Sequence, residues 1–249
     1  ELTFNGTILR SEDFIWNLGV NYTGYESEVI SLAPGINQLD IGGYSFAQVV
    51  AEVGQPYPLL RTTAWQRDDQ GRVIVGADGD PLQASNNATQ GKTTPDFVVG
   101  LNTSITYKNF NLYAVADYRT GHVFYNNLVA ALEFTGLTQH SVTSGRKPFV
   151  YPNSSYLNDA GEYVANTNRL TTDGGRNFFT GTFSDFAENY VTDATTLKLR
   201  EVSLSYTFED TILETLKIDD LTLGAFGKNL LTFRPADNVY TDPEFNFTT

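Results

Sequence analysis

His122 and His140 are the side chains of this sequence that could act as bases near neutral pH. Neither has a serine or an aspartate at a spacing that marks a catalytic triad, and neither stands in a zinc-binding pattern. Cysteine is absent, which excludes thiolate nucleophiles, thiolate metal ligands and disulfide bonds. The sequence therefore predicts no catalytic residue, no metal site and no cofactor, and both histidines are interpreted as ordinary polar residues.

Two acidic segments, Asp68 to Gly71 and Asp78 to Pro81, could bind a hard cation such as Ca²⁺ through carboxylates and backbone carbonyls. They lack the twelve-residue spacing and the closing glutamate of a calcium-binding loop. Aspartate next to glycine is, in contrast, common in tight turns. We therefore interpret both segments as turns.

Candidate binding residues fall into two groups. Asp117 and Arg119 stand two residues apart in a strand-like segment, so their side chains share one face. They could contact a solute or another part of the protein, or they could pair with each other and only solvate that face. The second group lies in the longest predicted loop and could stack on sugar rings or hold a peptide; it comprises Tyr151, Tyr156, Tyr163, Arg176, Phe178, Phe179 and Tyr190. These residues could equally pack the loop against itself.

The segment from Phe97 to Tyr118 is predicted to form a hairpin of two long strands. Apolar and polar residues alternate, and aromatic residues stand near both ends of the apolar side. The ten steps from Phe97 to Tyr107 span roughly 33 Å along a strand, or roughly 23 Å across a membrane at a tilt of about 45°. Strands of soluble β-sandwiches are usually only about five or six residues long. The length therefore favours a strand pair that crosses a lipid bilayer.

The pairing of this hairpin depends on its turn. A turn at Asn109–Phe110 would place Tyr107 opposite Leu112 and Leu101 opposite Tyr118. The apolar residues then share one face of both strands, and any shift of two residues leaves that face unchanged.

The same alternation recurs in segments 2–8, 14–22, 202–208 and 221–225. A three-residue loop at 10–12 would place the ring of Trp16 over Gly6. Predicted connections alternate in length: those at 10–12, 108–110 and 209–220 are short, whereas 31–44, 76–94 and 126–192 are long. Short turns at one end of a sheet and long loops at the other are typical of outer-membrane barrels, with their periplasmic and extracellular ends.

Composition narrows the classes of function. The formal net charge of -13 argues against nucleic-acid binding, which requires lysine and arginine to displace counterions. No run of 18 or more apolar residues is present, so a helical membrane protein is excluded. The 13% aromatic content, mostly Tyr and Phe, suits a protein whose rings lie at a lipid–water boundary.

Several blocks together resemble the late barrel of SusC/RagA-type TonB-dependent transporters of Bacteroidetes outer membranes. Their order and spacing match across most of the chain: Gly54–Pro58, Thr94–Gly100, Tyr107–Leu112, Asp117–Gly121, Val191–Ala194, Leu197–Tyr206, Gly227–Thr232 and Tyr240–Glu244. The resemblance implies an all-β fold, a 22-stranded antiparallel transmembrane barrel in the outer-membrane lipid, with an N-terminal plug domain. It also implies import of oligosaccharides or peptides, a SusD-like surface lipoprotein as partner, and energy relayed by TonB.

We expect residues 1–249 to be the C-terminal portion of such a barrel, about its last third. The plug domain, the TonB box and the final strand, which the family would place after Pro235, are absent from this sequence. With seven or eight predicted strands, the chain cannot close a barrel alone, because an open edge in lipid would leave backbone groups unpaired.

Two other functions fit parts of the pattern. A soluble β-sandwich adhesin or carbohydrate-binding module would also show alternating strands and exposed aromatic residues. A barrel enzyme would depend on His122 or His140, and no partner constellation for either is visible.

Overall fold

The computed structural model describes residues 1–209, 213–214 and 217–244 of the chain. The strands of these residues are β1 (Leu2–Arg10), β2 (Phe14–Gly24), β3 (Gln38–Tyr44), β4 (Ala47–Glu52), β5 (Leu59–Thr62), β6 (Val73–Ile74), β7 (Ala88–Lys92), β8 (Phe97–Tyr107), β9 (Phe110–Thr120), β10 (Val123–Tyr125), β11 (Ser154–Leu157), β12 (Tyr163–Ala165), β13 (Val191–Asp193), β14 (Thr196–Thr207) and β15 (Thr222–Phe233). The helices α1 (Asn127–Phe134) and α2 (Arg176–Thr180) are short, as are 3₁₀ turns at His140–Val142 and Ala187–Tyr190. The predicted all-β class is confirmed.

No helix among the described residues is both long and apolar enough to cross a membrane. The chain divides into two compact units. The first, here the sheet unit, comprises Glu1–Glu26, Pro95–His122 and Ala194–Ala236. The second, here the insert unit, comprises Ser27–Thr94, Val123–Asp193 and the chain from Asp237 onward.

Six strands of the described residues form the sheet unit, in the antiparallel order β1-β2-β8-β9-β14-β15. The sequence predicts seven or eight barrel strands, which is more than these six. The chain between β2 and β8 contributes none to this sheet; its strands β3, β4, β5 and β7 pair with one another in a sheet of their own. The predicted connection 209–220 lies partly outside the described residues.

The β8–β9 hairpin has the predicted faces and a different register. Tyr107 pairs with Phe110 and Leu101 with Ala116, so the register differs by two residues from the prediction. The turn consists of Lys108 and Asn109, and Lys108 adopts a left-handed conformation with φ 50°. A two-residue hairpin turn needs a residue in the left-handed conformation. From the sequence, the turn is predicted one residue too late, at Asn109–Phe110.

The prediction that Trp16 covers Gly6 was also wrong. A β-bulge between Thr7 and Leu9 adds one residue to β1, so Trp16 pairs with Leu9 while Gly6 pairs with Leu18. The ring of Phe4, on the same strand, covers Gly6 instead, since an ideal Cβ there would lie 2.9 Å from that ring. The bulge shifts the alternation by one residue, so that Leu9 shares the face of Phe4 and Trp16.

Cross-strand rows show how consistently the two faces are kept. One row across five strands is Val20, Leu101, Ala116, Leu199 and Leu231. The neighbouring row on the opposite face is Asn21, Gly100, Asp117, Lys198 and Thr232. A slip of one residue would exchange the two sets, so the alternation fixes the register.

The insert unit contains the predicted long loops, and these have secondary structure of their own. Its described residues form a four-stranded sheet (β3-β4-β5-β7), a three-stranded sheet (β12-β11-β6) and a β10–β13 pair. Aromatic and aliphatic residues from distant segments build its core, among them Leu60, Trp65, Tyr125, Leu170, Phe178, Phe179, Phe183, Phe186 and Tyr190. The loops are therefore a folded unit with a core.

Candidate functional site

Asp117 is the centre of a charged cluster on the polar face of the sheet unit. Its carboxylate accepts hydrogen bonds from Arg119 Nε and Arg200 Nη2, each at 3.0 Å, and from Arg200 Nε. Lys198, which is buried, stands directly opposite on β14. The Asp117–Arg119 ion pair, one of the two alternatives drawn from the sequence, is present; contact with a solute stays a prediction.

Arg200 was not identified from the sequence. It stands between Leu199 and Glu201, where the register shifts on both sides: β14 carries one extra residue relative to β9, and β15 carries one extra residue relative to β14. The alternation rule assigns a face to every residue of a regular strand, and a bulge redirects the inserted side chain. The sequence does carry a trace of this bulge, because the apolar residues change from odd positions at Leu199 to even positions at Val202.

The rest of the polar face is lined mainly by amides and hydroxyls. Thr7 Oγ1 donates to Asn17 Oδ1 at 2.8 Å, and Asn17 Nδ2 donates to Ser104 Oγ at 3.3 Å. The Asn102 carboxamide lies over Gly19, where an ideal Cβ would come within 2.5 Å of Asn102 Nδ2. Such a wall is wettable but carries little charge away from Asp117.

The opposite face of the sheet unit carries large apolar side chains that are exposed. Leu101 is 41% and Leu204 50% exposed, and further exposed members are Leu2, Phe4, Leu9, Leu197, Leu223 and Leu231. A contiguous apolar face of this extent marks contact with another apolar phase. The described residues of this chain leave these side chains uncovered, unlike the inner face of a β-sandwich.

Aromatic residues border this apolar face at both ends of the strands. At the end with the β8–β9 turn, adjacent strands place Phe14, Tyr107, Phe110 and Tyr206 in one row. At the other end, the rings of Tyr22 and Tyr118 both lie close to Phe97, with centroid distances of 5.6 and 6.1 Å. The prediction of aromatic residues at both ends of the apolar side is confirmed.

Three of the aromatic binding candidates belong to the core of the insert unit. Phe178 is 1%, Phe179 4% and Tyr190 2% exposed. Tyr151 packs edge-on against Trp65 at 5.8 Å, and burial raises the pKa of Tyr151 to about 12. Phe178, Phe179 and Tyr190 therefore belong to the packing of the loops against each other, and their contact with a solute stays a prediction.

The remaining candidates are accessible. Tyr156 lies on β11 and is half-buried, whereas Tyr163 lies on β12 and is exposed. Arg176, at the start of α2, is exposed and lines a cavity described below. The cavities bring together Tyr151, Phe178 and Phe179 in one case and Arg176 and Phe179 in another, whereas Tyr156 and Tyr163 line neither of these cavities.

Both acidic segments form turns, as predicted. Asp68 Oδ1 accepts from the backbone N–H groups of Gln70 and Arg72, and Asp68 Oδ2 accepts from Arg72 Nε at 2.8 Å and Ser155 Oγ at 2.7 Å. Burial alone would raise the pKa of Asp68, but these hydrogen bonds outweigh it and lower the pKa to about 2. In the second turn, Asp78 accepts from the backbone of Asp80 at 3.1 Å. No group of three or more potential ligands for a metal ion occurs in the described part of the chain.

The insert unit also contains cavities that sequence reasoning did not locate. One of about 440 Å³ is lined by Glu133, Arg146, Arg176 and Phe179, among others. A second of about 460 Å³ is lined mainly by aromatic and aliphatic side chains together with His140. A third, of about 380 Å³, is lined by polar residues around Trp65 and Tyr151.

Glu133 and His140 form an ion pair at these cavities. His140 Nδ1 lies 2.6 Å from Glu133 Oε1, and Thr138 Oγ1 donates to the same oxygen at 3.2 Å. The hydrogen bond with Glu133 raises the pKa of His140, against a smaller opposing effect of burial. The interpretation of His140 as an ordinary polar residue missed this partner, which is seven residues away across a helix end.

Comparison with known proteins supports the outer-membrane interpretation. No protein-family model matches the chain. It is 22% identical over 270 residues to TonB-dependent receptor P3 of Formosa agariphila, a match that covers 99% of this chain and 25% of that protein. The solved RagAB peptide transporter matches 97% of the chain with a TM-score of 0.60 and 18% identity, and the RagAB peptide importer in its open-open state matches with a TM-score of 0.63.

The resemblance to TonB-dependent transporters is confirmed. The chain spans about a quarter of the length of the relatives it matches. At 18% identity, the solved structures establish the fold of this part.

Proposed function

We propose that this chain is the C-terminal portion of a SusC-like, TonB-dependent transporter in the cell outer membrane. In this proposal the sheet unit is a section of a large antiparallel barrel, with 22 strands when complete. Residues 1–249 then supply the six strands of the sheet unit to this barrel, and the plug domain belongs to another part of the protein. The insert unit consists of the extracellular loops, and the two-residue turn at Lys108 faces the periplasm.

The observation that carries this proposal is the exposed apolar face between two aromatic rows. Phe97 and Tyr107 lie at opposite ends of β8, ten residues apart, which at the usual tilt matches the roughly 25 Å apolar band of outer-membrane barrels. The opposite face carries amides, hydroxyls and the Asp117 cluster, as suits a water-filled or plugged interior. A soluble sandwich would have to cover Leu101 and Leu204.

Partners and cargo follow from the family. A SusD-like surface lipoprotein would cap the extracellular loops, and TonB would act through the N-terminal region. The similarity to a peptide transporter favours peptides over oligosaccharides as cargo. The protein is proposed to act in transport rather than in catalysis.

Extraction of the intact protein tests the proposal. Transmembrane barrels need detergent for solubility and stay folded in cold SDS, so that unheated samples migrate differently from boiled ones. We expect this protein to fractionate with the outer membrane and to show that shift. Release of folded protein by buffer alone, without a heat-dependent shift, would favour a soluble β-sandwich.

A further inference from the structure

Arg146 and Arg176 line the 440 Å³ cavity of the insert unit, and both are exposed. Within the described part of the chain, no ion pair involves either guanidinium. Each guanidinium retains five N–H donors in a planar fork that matches the two oxygens of a carboxylate.

The backbone holds Arg146 in place at this cavity. Arg146 has a φ of 60°, a conformation that few residues with a Cβ adopt. Gly175, beside Arg176, allows the close approach, because an ideal Cβ at position 175 would lie 2.9 Å from Arg146 Cβ. The two arginines are thus brought together by local structure from positions thirty residues apart.

Glu133 lines the same cavity and does not neutralise the arginines. Glu133 is 4% exposed, and its carboxylate is already engaged by His140 and Thr138. The hydrogen bond to Glu133 keeps His140 protonated to higher pH, which balances the Glu133 charge. The cavity therefore has an excess of positive charge from Arg146 and Arg176.

An apolar cavity adjoins this one. The 460 Å³ cavity shares Phe179 with the first, and its lining also includes Phe149, Val150, Phe178 and Phe183. A cationic compartment therefore stands next to a compartment that can enclose an apolar side chain.

We propose that the two cavities together bind a ligand that ends in a carboxylate next to an apolar side chain, which is the chemistry of a peptide C-terminus. The carboxylate pairs with Arg146 and Arg176, and the last side chain enters the compartment lined by Phe149 and Phe183. Neutral sugars offer hydroxyl acceptors but no negative charge for two guanidiniums, whereas sugar acids offer a carboxylate without the apolar group. As a statement about cargo, this inference rests on the proposed transport function.

Calorimetric titration of the intact protein in detergent tests the site. The probes are N-acetyl-Gly-Gly-Phe with a free carboxylate, its C-terminal amide, N-acetyl-Gly-Gly-Gly with a free carboxylate, and a galacturonic acid disaccharide. We expect the phenylalanine acid to bind about tenfold or more tightly than its amide, because charge-assisted hydrogen bonds exceed neutral ones. The glycine acid and the sugar acid should both bind more weakly than the phenylalanine acid.

Variants locate the effect. Arg146→Asn combined with Arg176→Gln should remove the preference for the acid over the amide; asparagine is chosen because it tolerates the left-handed backbone. Arg169→Gln is the matched control, since Arg169 is an exposed cation of the same unit that lines neither cavity. Its preference should be unchanged.

The proposal is overturned if the acid does not bind, if the acid and amide bind equally, or if the double variant keeps the preference. Tighter binding of the sugar acid than of the phenylalanine acid would overturn the peptide assignment. Heat-dependent migration of the same samples separates these outcomes from failure of the transport proposal, because a barrel with no carboxylate site still shows the shift.

Discussion

The indole N–H of Trp16 donates a hydrogen bond to Thr103 Oγ1 on the neighbouring strand, at 2.9 Å. Thr103 Oγ1 in turn donates to the backbone carbonyl of Asn17 at 3.1 Å. Both side chains lie on the apolar face of the sheet unit. Their polar groups are satisfied within the sheet, which is what a surface in contact with hydrocarbon requires.

Thr103→Val should destabilise the sheet unit, because it leaves the Trp16 N–H without its acceptor. We expect a loss of about 1 to 3 kcal/mol in the free energy of unfolding, the usual cost of an unsatisfied buried donor. Urea titration of the protein in lipid vesicles measures this loss. The same substitution in a Trp16→Phe background should cost clearly less, and an equal cost in both backgrounds would mean that the hydrogen bond contributes nothing.

Leu101→Arg should block stable insertion into the membrane. An arginine near the bilayer midplane of a barrel costs about 2 to 4 kcal/mol, and Leu101 lies in the apolar row between the two aromatic borders. Asn102→Arg is the matched control, since Asn102 lies on the polar face and should be tolerated. Folded protein in the outer membrane is quantified by heat-dependent migration. Equal tolerance at both positions would remove the lipid-facing assignment.

Asp68→Asn should loosen the turn of the insert unit, because a neutral amide replaces a carboxylate that accepts four hydrogen bonds. Hydrogen exchange of the Gln70 and Arg72 amides should become faster. Since the folded pKa of Asp68 is lowered to about 2, this stabilisation is present above pH 3.8 and is lost as the pH falls towards 2. Asp69→Asn, an exposed neighbour, should have little effect, and a larger effect at Asp69 would contradict the assignment.

The His140–Glu133 pair should make the stability of the insert unit depend on pH. The folded pKa of His140 is raised above 6.5, so its contribution is complete below that pH and is lost as the pH rises through the folded value. Exchange of amides in 133–143, corrected for intrinsic rates, should become faster above pH 6.5. His140→Gln should flatten this dependence, whereas His122→Gln should preserve it; an unchanged profile in His140→Gln would exclude the pair as its source.

The faces of the sheet unit could be predicted because the environment on each side constrains every second residue. Leu101 and Asn102 were assigned to the correct faces even though the register of their hairpin was wrong. The register depended on Lys108 taking a left-handed turn position, for which lysine carries no sequence signal. The bulges next to Leu9 and at Arg200 were also missed, although each shifts the phase of the alternation by one residue, as between Leu199 and Val202.

The insert unit could not be predicted in this way. Its core joins Trp65 to Phe178 and Tyr190 across more than one hundred residues, and such contacts leave no local periodicity. The sequence leaves the loop aromatic residues two alternative roles, binding a solute or packing the loop. Only their burial decides between these roles, and burial depends on the fold of the whole unit. Arg146 was missed because only the folded loop places it at the same cavity as Arg176.

The most direct test of the account is the environment of alternate positions along β14. The chain contains no cysteine, so single cysteines at positions 202 to 206 can carry spin labels in the intact protein reconstituted in lipid vesicles. Collision with oxygen reports lipid, and collision with a water-soluble nickel complex reports water. We predict that labels at Val202, Leu204 and Tyr206 favour oxygen, whereas labels at Ser203 and Ser205 favour nickel or are shielded. Labels at Val202, Leu204 and Tyr206 that are shielded from both, or that favour nickel, would contradict a lipid-facing surface.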